Sequence, residues 1–125
     1  MALRDGLDKV LEECRDKAKR GQLSALMAHL DLLSIYMEND AQIDPRGGAL
    51  QRQNKRYYER GRRVHTLFDR VKQDLIGLLP EYTNEIRKES EAVFVGRDFP
   101  AFPGWEEDIL KFLEYGLGLV KATYQ

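Results

Sequence analysis

Apolar positions fall at helical steps along most of the chain. Leu3, Leu7, Val10, Leu11, Cys14 and Ala18 recur at steps of three and four, which traces one face of a helix. Lys17, Lys19 and Arg20 then place cations in what reads as its last turn, and Gly21 follows as a stop. A second series begins at once: Leu23, Leu26, Met27, Leu30, Leu33 and Met37. Leu32, Ile35 and Tyr36 thicken it, which predicts a helix buried on more than one side. So short a link predicts a tight antiparallel hairpin, with one long helix bent at Gly21 as the alternative. Residues 38–49 read as a loop, because Asp44-Pro45 and Gly47-Gly48 break regular structure.

The third series is the longest. Leu50, Asn54, Tyr57, Gly61, Val64, Phe68, Val71, Leu75 and Leu78 alternate steps of four and three, the seam of a long bundle helix or a coiled coil. At 1.5 Å per residue this rod is roughly 45 Å long. Pro80 ends it, since the residue before a proline avoids helical dihedrals. Gly61 on the seam marks a close approach or a bend, and Asn54 is a polar seam position that can fix register. Tyr82, Ile86, Glu89, Val93 and Phe94 give a shorter fourth helix, and Trp105, Ile109, Phe112, Leu113, Gly116, Val120 and Tyr124 a last one. The glycines Gly116 and Gly118 read as packing points inside it. No strand-like alternation competes. The pattern predicts an all-α, four- or five-helix bundle with one long central helix, about residues 50–79, in a single helical domain spanning 1–125.

Composition agrees with that class. Of 125 residues, 42 % are hydrophobic and 33 % charged, a balance that supports a packed core. The apolar runs are far too short to span a membrane. The single Cys14 excludes an internal disulfide and fits a reducing compartment, so a cytoplasmic protein is expected. Cys14 lies on the apolar face of its helix, where a buried thiol is the default. With one cysteine and two isolated histidines, His29 and His65, no metal site and no cofactor are expected.

Charge changes the picture more, because it is segregated. The net charge is −1, yet residues 46–72 carry nine basic side chains against Glu59 and Asp69. Residues 73–108 carry nine acidic ones against Arg87, Lys88 and Arg97. The basic block centres on QRQNKRYYERGRRVH, residues 51–65. Arg52, Arg56, Arg60, Arg63 and Arg70 form a ribbon beside the seam, with Tyr57 and Tyr58 interleaved.

Three readings of that ribbon differ in chemistry. One is a solvated or internally paired face, with Glu81, Glu85 and Glu89 as an acidic stripe on the next helix. That helix reaches back only to about residue 65, so the basic half, 50–63, overhangs it. Another is a binding face, with Arg52, Arg56, Tyr57, Arg60 and Arg63 as its residues: arginine forks suit carboxylate and phosphate, and aromatic rings stack on bases. The third is catalytic. Arg60 and His65 in RGRRVH are spaced Arg-x4-His, which resembles the signature of the HEPN superfamily, helical proteins that include metal-independent ribonucleases. The resemblance covers six residues. It implies an arginine and a histidine converging on RNA phosphate. On an unbroken helix, however, five residues turn the side chain by about 140°. Arg60 and His65 therefore converge only if Gly61 breaks the helix.

The segment FVGRDFPAFPGW adds Phe99, Phe102 and Trp105, which read as a lid over one end of the bundle or as an anchor set for a partner. Nothing in the chain demands an enzyme. The leading expectation is a non-catalytic helical interaction protein: an adaptor, a small subunit of a complex, or a homodimer. Its partner is another protein or a second copy of itself. A nucleic-acid-contacting subunit is the second reading, and a HEPN-like ribonuclease the third.

Overall fold

The computed structural model describes residues 6–38, 50–94 and 105–124, of which 38, 50–61, 94, 105 and 106 are described as backbone. These residues form five helices and no strand: α1, Leu7–Glu13; α2, Lys17–Glu38; α3, Leu50–Leu78; α4, Thr83–Phe94; and α5, Trp105–Tyr124. A 3-10 turn, Pro80–Tyr82, joins α3 to α4. The all-α bundle with one long central helix is thus the observed fold.

The first break is not where the glycine suggests. α1 ends at Glu13, Cys14 is extended, and Gly21 lies inside α2. The cause is Asp16, whose Oδ1 accepts from the amides of Ala18 at 2.9 Å and Lys19 at 3.2 Å. A carboxylate N-cap of this kind contributes about 1 kcal/mol. Arg20, one turn on, donates from Nη1 to the carbonyls of Leu11 at 2.7 Å and Cys14 at 2.9 Å, satisfying acceptors at the end of α1. Lys17, Lys19 and Arg20 therefore begin α2 rather than close α1. Gly21 is exposed with open space around it, so the helix runs through it at the usual glycine cost of about 1 kcal/mol.

α3 ends where the proline requires. Its last carbonyls find side-chain donors from two other helices: Lys19 Nζ reaches Gly77 O at 3.1 Å, and the Tyr124 hydroxyl reaches Leu78 O at 2.5 Å. The Thr83 hydroxyl donates to Pro80 O at 2.6 Å and fixes the turn into α4.

One apolar cluster unites all five helices. Leu7 and Val10 of α1, Leu23, Leu26, Leu30 and Leu33 of α2, Val64, Phe68, Val71, Leu75 and Leu78 of α3, Ile86 of α4 and Ile109, Phe112 and Val120 of α5 are all buried in it. Each fully buried Leu or Ile contributes about 1.5–3 kcal/mol. The described half of the α3 seam, from Val64 to Leu78, is therefore used inside this chain. Its other positions, Leu50, Asn54, Tyr57 and Gly61, have side chains outside the described residues.

Two registers position the surface. Lys19 meets Gly77, His29 meets Asp74 and Tyr36 meets Arg63, so α2 and α3 are antiparallel. Phe68 packs on Phe112 with centroids 4.9 Å apart, Leu75 faces Gly116, and Leu78 meets Tyr124, so α3 and α5 are parallel. Carrying the α2 register onward, residue 38 lies level with about residue 61, so about the first eleven residues of α3 run past the end of α2. This overhang is past α2, whereas the one read from the sequence is past the acidic helix α4.

Candidate functional site

At its C-terminal end α2 carries apolar side chains on more than its core face. Leu33 is fully buried, but Leu32 is 44 % exposed and Ile35 53 %. The second buried side expected for α2 is therefore open to solvent. Leu32 and Tyr36, one turn apart, face the flank of α3. Between the two helices they line an open groove of about 290 Å³ with Arg62, Arg63, Thr66, Leu67 and Arg70. Its floor is apolar and its α3 wall is cationic. No acidic residue lines it among the described residues.

Tyr36 organises the groove. The Arg63 Nη1 donates to the Tyr36 hydroxyl at 2.9 Å, and the guanidinium carbon sits 5.6 Å from the Tyr36 ring centroid. A cation over a ring face is attracted by the quadrupole, worth about 0.5–1 kcal/mol at an exposed site. Arg63 is thus held in place, while Arg62 and Arg70 are exposed on either side of it.

Arg63 is the one residue of the predicted binding set whose side chain is described. The side chains of Arg52, Arg56, Tyr57 and Arg60 lie outside the described residues. Backbone register still places positions 52, 56, 63 and 70 within about 40° of one another around α3, so the groove lies beside the C-terminal part of the basic ribbon. Phe99 and Phe102 fall outside the described residues, and Trp105 is described only as the first residue of α5.

The Arg60–His65 pair meets the geometry that the helical pattern implied. α3 is a single helix from Leu50 to Leu78 and passes through Gly61. Positions 60 and 65 are then about 140° apart around its axis.

Burial raises the Tyr115 phenol above its usual value, and Glu85 and Glu89 raise it further. Burial likewise raises Tyr124, with Glu81 adding to it. Glu81, Glu85 and Glu89 thus lie near enough to the tyrosines of α5 to act on them, and none of the three lines the groove.

A second polar pair was not foreseen. His29 Nδ1 lies 2.6 Å from Asp74 Oδ2, joining α2 to α3 on side chains that are mostly buried, 24 % and 19 % exposed. Cys14 is buried, with Sγ 3.7 Å from Asp16 O. Among the described residues no group of three His, Cys, Asp or Glu side chains could hold a metal ion. Among them, too, no helix is long and apolar enough to cross a membrane.

Comparison with family models, with curated proteins and with solved structures finds no match for this chain.

Proposed function

We propose that the protein is a non-catalytic helical interaction protein whose partner-binding surface is the groove between α2 and α3. The observation that carries this reading is the pairing of an exposed aliphatic side chain with arginines in one groove. Leu32 exposes apolar area beside Tyr36 in the groove, where Arg62, Arg63 and Arg70 also line it, and Ile35 adds exposed apolar area elsewhere on α2. Apolar anchors with Arg and Tyr around them are the composition that dominates binding energy at protein interfaces. The overhanging start of α3 extends the same basic ribbon beyond the groove.

A nucleic-acid contact is the weaker reading. Backbone phosphates would meet the arginines, but Leu32 and Ile35 would gain nothing from them. The ring of Tyr36, the aromatic side chain of the groove, already holds Arg63. A cytoplasmic location and an oligomeric state belong to this proposal.

The test is a photo-crosslinking residue at position 32, compared with one at Glu91, an exposed position on α4. The reading expects protein adducts at 32 that Arg62→Glu with Arg70→Glu removes, and none of these at 91. Adducts to nucleic acid at 32, or protein adducts indifferent to the arginines, would refute it.

A further inference from the structure

We infer that the occupant of the α2–α3 groove is an acidic amphipathic helix of another protein. This rests on the reading above that the groove binds a protein, and it specifies the chemistry of that partner.

The shape comes first. Two antiparallel helices leave a trough that runs along their axes, and the natural filler of such a trough is a third helix. At about 290 Å³ the groove lies at the small end of ligand pockets, which run from about 300 to 1,000 Å³. It takes one or two side chains rather than an enclosed small molecule. Leu32 and Tyr36 are one helical turn apart, and so are Thr66 and Arg70. A partner helix meets that spacing with apolar residues at i and i+3 or i+4.

The charge comes second. Arg62, Arg63 and Arg70 line the groove without an acidic residue among the described lining. The chain's own acidic stripe is not part of the groove: none of Glu81, Glu85 and Glu89 lines it. A partner with carboxylates flanking its apolar stripe would place them against guanidinium forks, whose planar geometry matches carboxylate bidentately. A basic or uncharged helix would leave Arg62 and Arg70 partly desolvated without a carboxylate, which is unfavourable. Arg63 is already pinned by Tyr36, so less side-chain freedom is lost when it is engaged.

The experiment titrates the isotope-labelled full chain with four synthetic probes, followed by NMR. The first probe is a capped amphipathic peptide with leucine at i, i+4 and i+7 and glutamate on the flanks. The second replaces each glutamate by lysine, the third scrambles the first, and the fourth is an oligouridylate of equal charge. The expected result is saturable binding of the glutamate peptide, at least about tenfold tighter than the other three. Shifts should be centred on Leu32, Tyr36, Thr66 and Leu67. Arg62→Glu with Arg70→Glu, or Leu32→Asp alone, should each weaken it at least about tenfold while leaving the helical circular dichroism unchanged.

Equal binding of the scrambled peptide would reduce the effect to bare charge and overturn the inference. Tighter binding of the oligouridylate would assign the groove to nucleic acid. Shifts that grow with protein concentration alone would assign it to a second copy. Absence of binding by the whole panel would also overturn it. Failure here beside arginine-dependent protein adducts at position 32 would sink the acidic helix and leave the interaction surface standing.

Discussion

Gly116 of α5 lies directly against Leu75 of α3: a Cβ built on Gly116 would fall 2.7 Å from Leu75 Cδ1. Leu75 is fully buried, so it has little room to give. Gly118, two residues on, faces open space. The two glycines look alike in the sequence, and the structure separates them.

Gly118→Ala should therefore stabilise the fold by about 0.5–1 kcal/mol through helix propensity alone. Gly116→Ala should lose that gain to overpacking, which costs typically about 1–3 kcal/mol. Urea denaturation of the two variants checks this. Equal stabilisation by both would mean that α5 does not approach α3 as described.

The start of α2 gives a second pair. Asp16→Ala should destabilise by about 1 kcal/mol, because the amides of Ala18 and Lys19 lose their acceptor. Gly21→Ala should stabilise by up to about 1 kcal/mol, because Gly21 is an open position inside the helix. If instead Gly21→Ala were the damaging change, the break would lie at the glycine.

These positions show what the sequence could and could not reveal. The core seam from Val64 to Leu78 and the stop at Pro80 were legible, because periodicity and proline sterics act locally. The α1–α2 break is not at Gly21, because the capping Asp16 outweighs the glycine. Asp16 as a capping residue is the signal for a helix start, while the basic residues behind it point the other way. The His29–Asp74 pair joins residues 45 apart in sequence, so it is invisible until the α2–α3 register is known. The exposure of Leu32 and Ile35 was hidden for a similar reason. A thick apolar face looks the same whether a neighbour covers it or solvent does.

His29 and Asp74 should be coupled. A double-mutant cycle of His29→Ala and Asp74→Ala should give an interaction energy of about 1 kcal/mol, as for a partly buried side-chain hydrogen bond. A value indistinguishable from zero would show that the 2.6 Å contact does not persist in solution.

Tyr115 and Tyr124 should titrate late. Both phenols are pushed above the usual tyrosine value of about 10, by burial first and by the neighbouring glutamates second. The folded state thus favours the protonated phenol more than the unfolded state does. That contribution to stability is present in full below about pH 10 and is lost as pH rises through the folded values. Ultraviolet titration should show a late-ionising class of tyrosines. Glu85→Gln with Glu89→Gln should bring Tyr115 part of the way down, since burial, the larger cause, remains.

Everything about the ribbon turns on α3 running straight past Gly61 with α2 beside its C-terminal half. Pulsed electron spin resonance between labels at positions 55 and 73, with Cys14 replaced by alanine, measures this most directly. The two sites are five turns apart on one face, so an unbroken helix gives one narrow distribution near 27 Å of axial separation. A shorter or split distribution would mean a bend at Gly61 able to carry Arg60 back toward His65. The binding account would then give way to the ribonuclease one.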